Sequence, residues 1–264
     1  MMNLHKLILT KNACYKAGKK IKPKGIMVHS TGANNPKLSR YVGPDDGLLG
    51  KNPYNNHWNT DKPGGREICC HAFIGKLADG TVATYQTLPW DYRGWHGASG
   101  KKGSCNDTHI GFEICEDDLK DAVYFGKVYR EAVELCAMLC EMFGLTEKDI
   151  IDHSEGYKLG IASGHADVGH WFPKHGKSID TLRADVRALL AGKKDAAEEA
   201  PAKPAGDLTI AAGSWNIRSG PGTGWPVVKT VKGGEKLQSV KVDDWIPVLM
   251  DGRVCWISPK GVAK

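Results

Sequence analysis

Residues 191–206, AGKKDAAEEAPAKPAG, interrupt the apolar patterning of the chain with alanine, proline and alternating charge. Nothing in that stretch can be buried to offset the entropy of ordering it, so it reads as a linker between two separately folded parts. A chain of 264 residues with 41% apolar content then holds one sizeable core in residues 1–190. The remaining part, residues 207–264, is near the size at which a core alone becomes marginal.

The two parts differ in pattern. In residues 24–31, KGIMVHST, a short apolar run gives way to polar residues, as in a buried strand whose C-terminal end presents side chains; this strand ends in His29. Cys69–Ile74 and Thr81–Tyr85 flank KLADG, where Asp79-Gly80 signals a turn, so a hairpin is expected. Residues 109–115, HIGFEIC, alternate Ile110, Phe112 and Ile114 against His109, Gly111, Glu113 and Cys115, which predicts another strand. Val128, Ala132, Leu135, Leu139 and Phe143 recur at helical spacing and stop at Gly144. A second helix runs from an N-cap at Ser178 to Leu190, with Leu182, Val186 and Leu189 on one side. Strands interleaved with helices predict an α/β domain, a mixed β-sheet flanked by helices. The stretch Ala33–Gly65, dense in Asn, Pro and Gly, reads as a loop-rich, substrate-facing insertion too polar to make a core element. From Leu208 to Val262, short β-prone runs alternate with Gly- and Pro-rich turns, the pattern of a small β-barrel.

Several function classes are disfavoured. No window approaches the roughly 18–20 apolar residues of a membrane span, and Leu7–Leu9 is too short for a secretory signal, so a cytoplasmically synthesised chain without membrane insertion is expected. The net charge of +6 is spread thinly, with no basic run beyond pairs such as Lys19-Lys20 and Lys101-Lys102, which argues against nucleic acid as a partner. The eight cysteines, at 14, 69, 70, 105, 115, 136, 140 and 255, form no CxxC knuckle and read as mostly reduced, buried residues. Oligomeric state leaves no trace in the sequence.

Histidine density sets one segment apart. Residues 150–176 contain His153, His165, His170 and His175 together with Asp152, Glu155 and Asp167. Neutral imidazole and carboxylate are the ligands of hydrolytic zinc, which keeps three protein ligands and an open position. His29, at its strand end, offers a sequence-distant ligand to complete such a set.

Four blocks, in this order, resemble the type-2 N-acetylmuramoyl-L-alanine amidases, which share their fold with peptidoglycan-recognition proteins and include many phage endolysins. They are the apolar-VHSTG around His29, HAFIGKLADGTVATYQ, RGWHGA followed by HIGFEIC, and DHSEG with HADVGHWFP, and the likeness spans Lys24 to Leu190. The resemblance implies Zn2+ held by His29, His153 and Asp167. The chain departs from the family where a lysine gives way to His165 and a proline to Val168, so His165 and His170 compete with Asp167 for the third place. It further implies Glu113 as general base and acid on zinc-activated water, the alternative being a surface ion pair, and His165 as the group that polarises the scissile carbonyl. His71, near the family's catalytic tyrosine, and His96, in the tryptophan-histidine block, stand as substrate-binding candidates.

The tail resembles a bacterial SH3-like domain through WNIRSGPGTGWPVV, VKGGEKL and DDWIPVLMDGRVCWIS. Trp225, Trp245 and Trp256 supply either its core or an aromatic groove. Together the resemblances imply a phage or prophage endolysin that cleaves peptidoglycan after release to the cell wall, whose acidic surface suits a mildly basic chain. A non-catalytic peptidoglycan-binding protein is the main alternative. A recycling hydrolase of free muropeptides is the other, and it has little use for a wall-binding tail.

Overall fold

The computed structural model describes residues 2–198, 206–218, 227–239, 246–250, 253–258 and 261–262. The chain divides into two compact units, residues 1–190 and 191–264.

The first unit is built on one sheet. In chain order its strands are β1 (Leu4–Lys6), β2 (Gly25–Asn34), β3 (Ala72–Lys76), β4 (Val82–Gln86), β5 (His109–Glu116) and β6 (Ile150–Asp152), laid side by side as β1-β4-β3-β5-β2-β6. β3 and β4 pair antiparallel across the Asp79-Gly80 turn and every other neighbour is parallel, so the sheet is mixed as expected. Its centre is buried on both faces: Ile26, Met27 and Val28 of β2 and Ile110, Phe112, Ile114 and Cys115 of β5 are wholly inaccessible. Parallel strands carry helices or loops on each face, which is why the alternation in HIGFEIC does not mark a solvated side.

The helices are α1 (Ala13–Ala17), α2 (Ala122–Phe143), α3 (His153–Leu159), α4 (Val168–Trp171) and α5 (Ile179–Glu198). α2 starts where the Asp121 carboxylate accepts the backbone N–H groups of Val123 and Tyr124, and it stops at Gly144 in the left-handed conformation. Its stripe of Val128, Ala132, Leu135 and Leu139 is buried, and the helix packs on β3 and β4. α5 is capped by the Ser178 hydroxyl, which accepts from the Thr181 N–H at 3.2 Å, and buries Leu182 and Val186. It does not stop at Leu190 but continues to Glu198, because alanine, lysine and glutamate are strong helix formers and the first proline comes only at 201.

The insertion 33–65 departs from expectation. Leu38, Tyr41, Val42 and Leu49 are buried against Phe73, Tyr85 and Cys115, so this stretch closes one face of the sheet. Four apolar side chains suffice, since its backbone polar groups are satisfied by Asx turns such as Asp46 Oδ1 with the N–H groups of Leu48 and Leu49. Among the described cysteines, Cys69, Cys70, Cys105, Cys115, Cys136 and Cys140 are buried free thiols and Cys14 is a half-buried one. No helix among the described residues is long and apolar enough to cross a membrane.

The second unit holds β7 (Gly206–Thr209), β8 (Ser214–Arg218), β9 (Val227–Lys232), β10 (Lys236–Ser239), β11 (Ile246–Met250) and β12 (Arg253–Ile257), all antiparallel in the order β7-β10-β11-β12-β8-β9. Ile210, Ile217, Val231, Ile246, Val248 and Ile257 form its core, with Trp215 packed against them. Trp225, Trp245 and the turn 219–224 lie outside the described residues, as does the side chain of Trp256.

Candidate active site

The central strands bring the site together, although β2 does not end at His29 as expected but continues through polar residues to Asn34. His29 on β2 stands in register with Glu113 on β5, so both side chains leave the same face. β6 runs without a loop into α3, because Asp152 caps the helix: its carboxylate accepts the Glu155 N–H at 2.8 Å while Glu155 reaches back to the Asp152 N–H. That box makes His153 the first residue of α3 and sets its ring beside His29, centroids 5.0 Å apart. Arg183 of α5 holds the same Glu155 in a close ion pair. Asp167 precedes α4 with φ at +41° and ψ at −125°, a positive-φ conformation that costs an aspartate energy and persists where its surroundings hold it.

Three ligand atoms converge. His29 Nδ1 and His153 Nδ1 each lie 2.7 Å from the same oxygen, Asp167 Oδ2, and 3.2 Å from one another. Both imidazoles are buried and Asp167 is half-buried. Burial opposes the Asp167 charge, but its contacts with His153 and His29 outweigh that and hold the carboxyl below the usual range. Burial also lowers the pKa of His29 despite the neighbouring Asp167.

The outer nitrogens decide what the inner ones carry. His96 Nε2 faces the His109 carbonyl at 3.2 Å, a pure acceptor, so this nitrogen donates and His96 Nδ1 must accept. Burial pushes the His96 pKa well down, which keeps that ring neutral. His29 Nε2, 3.0 Å from His96 Nδ1, is then the donor. A neutral His29 therefore points a lone pair, not a proton, at Asp167. A lone pair of His29 held this close to a carboxylate oxygen is suited to a cation between them. Two ligands about 2.0–2.1 Å from a tetrahedral ion stand about 3.3 Å apart, close to the 3.2 Å between the two imidazole nitrogens. The donor set of His29, His153 and Asp167 fits zinc in chemistry, and its two imidazole nitrogens stand at the matching spacing, while the contacts to Asp167 Oδ2 are at hydrogen-bond distance.

The other predicted residues fall into distinct places. Glu113 sits beside the cluster with Oε2 buried and without a hydrogen-bond partner among the described residues. Burial raises its pKa well above the ordinary value, with the charges of Asp167 and Glu116 adding to the effect. His165 is exposed at the mouth, its ring 4.8 Å from that of His153. Between them stands Ser163, whose Oγ is 3.3 Å from His153 Nε2 and 3.0 Å from His165 Nδ1. His170 turns away to Glu116, 3.1 Å distant, a carboxylate also held by the Ser30 hydroxyl at 2.6 Å, so of the two competing histidines neither joins the three-atom group.

His71 does not reach substrate space. It is wholly inaccessible, Nδ1 accepts from the Gly111 N–H at 3.1 Å, and Nε2 donates to the Tyr92 carbonyl at 2.8 Å. Its two nitrogens tie β3, β5 and the segment before His96 together, a packing role. His96 is half-buried and points inward at His29, so its ring supports the cluster. Two supporting residues carry no signal in the sequence. Ser163 is one. The other is Asn106, fully buried, whose Oδ1 accepts from the N–H groups of His96 and Gly97 at 2.8 and 3.1 Å.

No curated protein is significantly similar to the chain. Among solved structures it is similar to that of PlyL, at 19% identity over 71% of this chain and 97% of that one, with a TM-score of 0.49. A mutant endolysin from Bacillus subtilis aligns at 23% identity over 70% and 99%, TM-score 0.49. The Staphylococcus aureus hydrolase AmiA in complex with its ligand aligns at 22% over 74% and 85%, TM-score 0.49. The family profile described as N-acetylmuramoyl-L-alanine amidase matches residues 19–170, more than half of the chain and every residue of the cluster. The chain belongs to the N-acetylmuramoyl-L-alanine amidase family.

Proposed function

We propose that the first unit hydrolyses the amide between the lactyl group of N-acetylmuramic acid and L-alanine in peptidoglycan, with zinc held by His29, His153 and Asp167. The observation that carries this reading is the convergence of imidazole nitrogens and a carboxylate oxygen beside Glu113, whose buried Oε2 has no hydrogen-bond partner among the described residues. Zinc, when bound, supplies Lewis-acid polarisation of a carbonyl oxygen and acidifies water to a pKa of about 7.

The chain's own groups do the rest. Glu113 takes a proton from the attacking water and delivers it to the alanine nitrogen as the C–N bond breaks, a task suited to a carboxyl that burial makes willing to hold a proton. His165, exposed at the mouth, donates to the carbonyl oxygen as negative charge develops there. His96 keeps His29 oriented through the Nε2 to Nδ1 hydrogen bond.

The second unit, residues 207–264, is read as an SH3-like module that holds the enzyme on the wall, joined through the end of α5 and the segment up to Gly206. The whole acts as an endolysin on peptidoglycan.

The test is incubation with purified peptidoglycan, with and without a chelator, scoring new L-alanine amino groups and zinc per chain. Free amines should appear, vanish on chelation and return with zinc. Asp167→Ala should lose both metal and activity. Glu113→Gln should keep its zinc while turnover falls by about 10²–10⁴-fold, the usual contribution of a positioned acid–base group. Zinc bound without released amines, in a protein that still sediments with the wall, would favour the non-catalytic binding protein and remove Glu113 from its role.

A further inference from the structure

Ser163 occupies the one junction in the cluster whose hydrogen-bond polarity the fold leaves open. At His29 the polarity is fixed from outside, because the chain through His96 ends on the His109 carbonyl, which can only accept. The corresponding chain from His153 ends on a hydroxyl, and a hydroxyl donates and accepts. Ser163 Oγ lies 3.3 Å from His153 Nε2 and 3.0 Å from His165 Nδ1, and the Ser163 N–H donates to the Gly97 carbonyl at 3.0 Å, which ties its backbone beside the two rings.

Two proton arrangements satisfy these contacts. If His153 Nδ1 carries a proton towards Asp167 Oδ2, 2.7 Å away, then Nε2 must accept from the Ser163 hydroxyl. Ser163 in turn accepts from His165 Nδ1–H, and the outer nitrogen of His165, Nε2, is left as a bare lone pair. If instead His153 Nδ1 gives its lone pair to a cation, its proton moves to Nε2 and is donated to Ser163. The hydroxyl then donates to His165 Nδ1, and His165 carries its proton on Nε2, facing outward.

We propose that Ser163 is a positioning residue that couples occupancy of the His29–His153–Asp167 site to the tautomer of His165, making His165 Nε2 a hydrogen-bond donor only when the metal is in place. The inference rests on the metal reading above. It assigns the chain a device that a lysine at position 165 would not need, since an ammonium donates in every state. No bond to carbon or to metal forms or breaks in the switch. One proton changes nitrogen on each ring, and the hydroxyl reverses its direction.

The experiment uses the full chain with ¹⁵N-labelled imidazoles, at a pH of about 8, above the ordinary histidine range. Long-range ¹H–¹⁵N spectra separate the two tautomers, and His165→Gln identifies the His165 signals. Wild type is recorded after chelation and after zinc loading, with zinc content measured in parallel, beside Ser163→Ala and Ser163→Thr. The expected result is a change of His165 from the Nδ1–H to the Nε2–H form on zinc loading in wild type and in Ser163→Thr, which keeps the hydroxyl. In Ser163→Ala, zinc still binds and the His165 spectrum is the same with and without it. An unchanged His165 in zinc-loaded wild type, or an undiminished change in Ser163→Ala, overturns the relay and leaves the metal site standing. A wild-type chain that takes up no zinc overturns the metal reading and the relay with it.

Discussion

Gly111 shows how little room surrounds the cluster. A Cβ built there would lie 2.3 Å from His96 Nδ1, the atom that accepts from His29. Gly111→Ala must therefore displace the His96 ring and break the bond that orients His29. Loss of such an outer partner typically lowers metal affinity about 10–100-fold, and the same loss is expected here in a zinc titration against a chromophoric chelator. A folded Gly111→Ala protein with unaltered zinc affinity would show that His96 does not orient His29. At this scale the sequence is readable where the residue type itself has ligand chemistry: the resemblance points to His29 and His153, while Asp167 stays in competition with His165 and His170 until the fold brings three ligand atoms together. Ser163 and Asn106 are not readable, because serine and asparagine are common loop residues whose meaning depends on which rings the fold brings beside them. His71 misleads for the converse reason. A histidine in a motif carries the signature of chemistry even when both nitrogens are consumed by backbone.

α2 is the longest element whose ends are set by named residues, and its N-terminus hangs on one side chain. Asp121 accepts from two otherwise unpaired N–H groups, those of Val123 and Tyr124, at 2.9 and 3.0 Å. Asp121→Ala should cost the first unit about 1 kcal/mol, the typical value of a lost N-cap, seen as a lower denaturant midpoint with an unchanged m-value. A midpoint equal to wild type would mean that packing of the stripe alone fixes where the helix begins. This element is legible in sequence because cap, apolar period and terminal glycine all agree. β2 and β5 are legible as apolar runs for the same reason, buried parallel strands needing no polar face. The insertion 33–65 is not, since Leu38, Tyr41, Val42 and Leu49 reach the core from irregular backbone with no period to reveal them. The end of α5 is missed because lysine, glutamate and alanine suit a linker by composition and a helix by propensity.

For the molecule as a whole, histidine is unevenly shared: all ten lie before residue 190, and residues 191–264 contain none. Acid should therefore act on the two units differently. His71 is the clearest case, a wholly buried ring whose pKa burial brings down from 6.5 to about 4. Between those values the unfolded chain binds a proton at this residue and the folded chain does not. Stability that is fully present above 6.5 is thus lost as pH falls towards 4. The linkage is about 1.4 kcal/mol per pH unit for one proton, so this residue alone removes about 2 kcal/mol by pH 5 and about 3 kcal/mol by pH 4. His109, likewise brought to about 4 by burial, adds to the same slope. Denaturant unfolding of the full chain between pH 7 and pH 5 should show the first unit's transition move to lower denaturant while that of the second unit stays nearly still, since its carboxylates titrate mostly below this range. His71→Gln should flatten the first unit's dependence by up to one proton's worth of slope. Equal slopes in wild type and a folded His71→Gln protein would mean that His71 gains its proton without unfolding the β3 to β5 contact it now ties together.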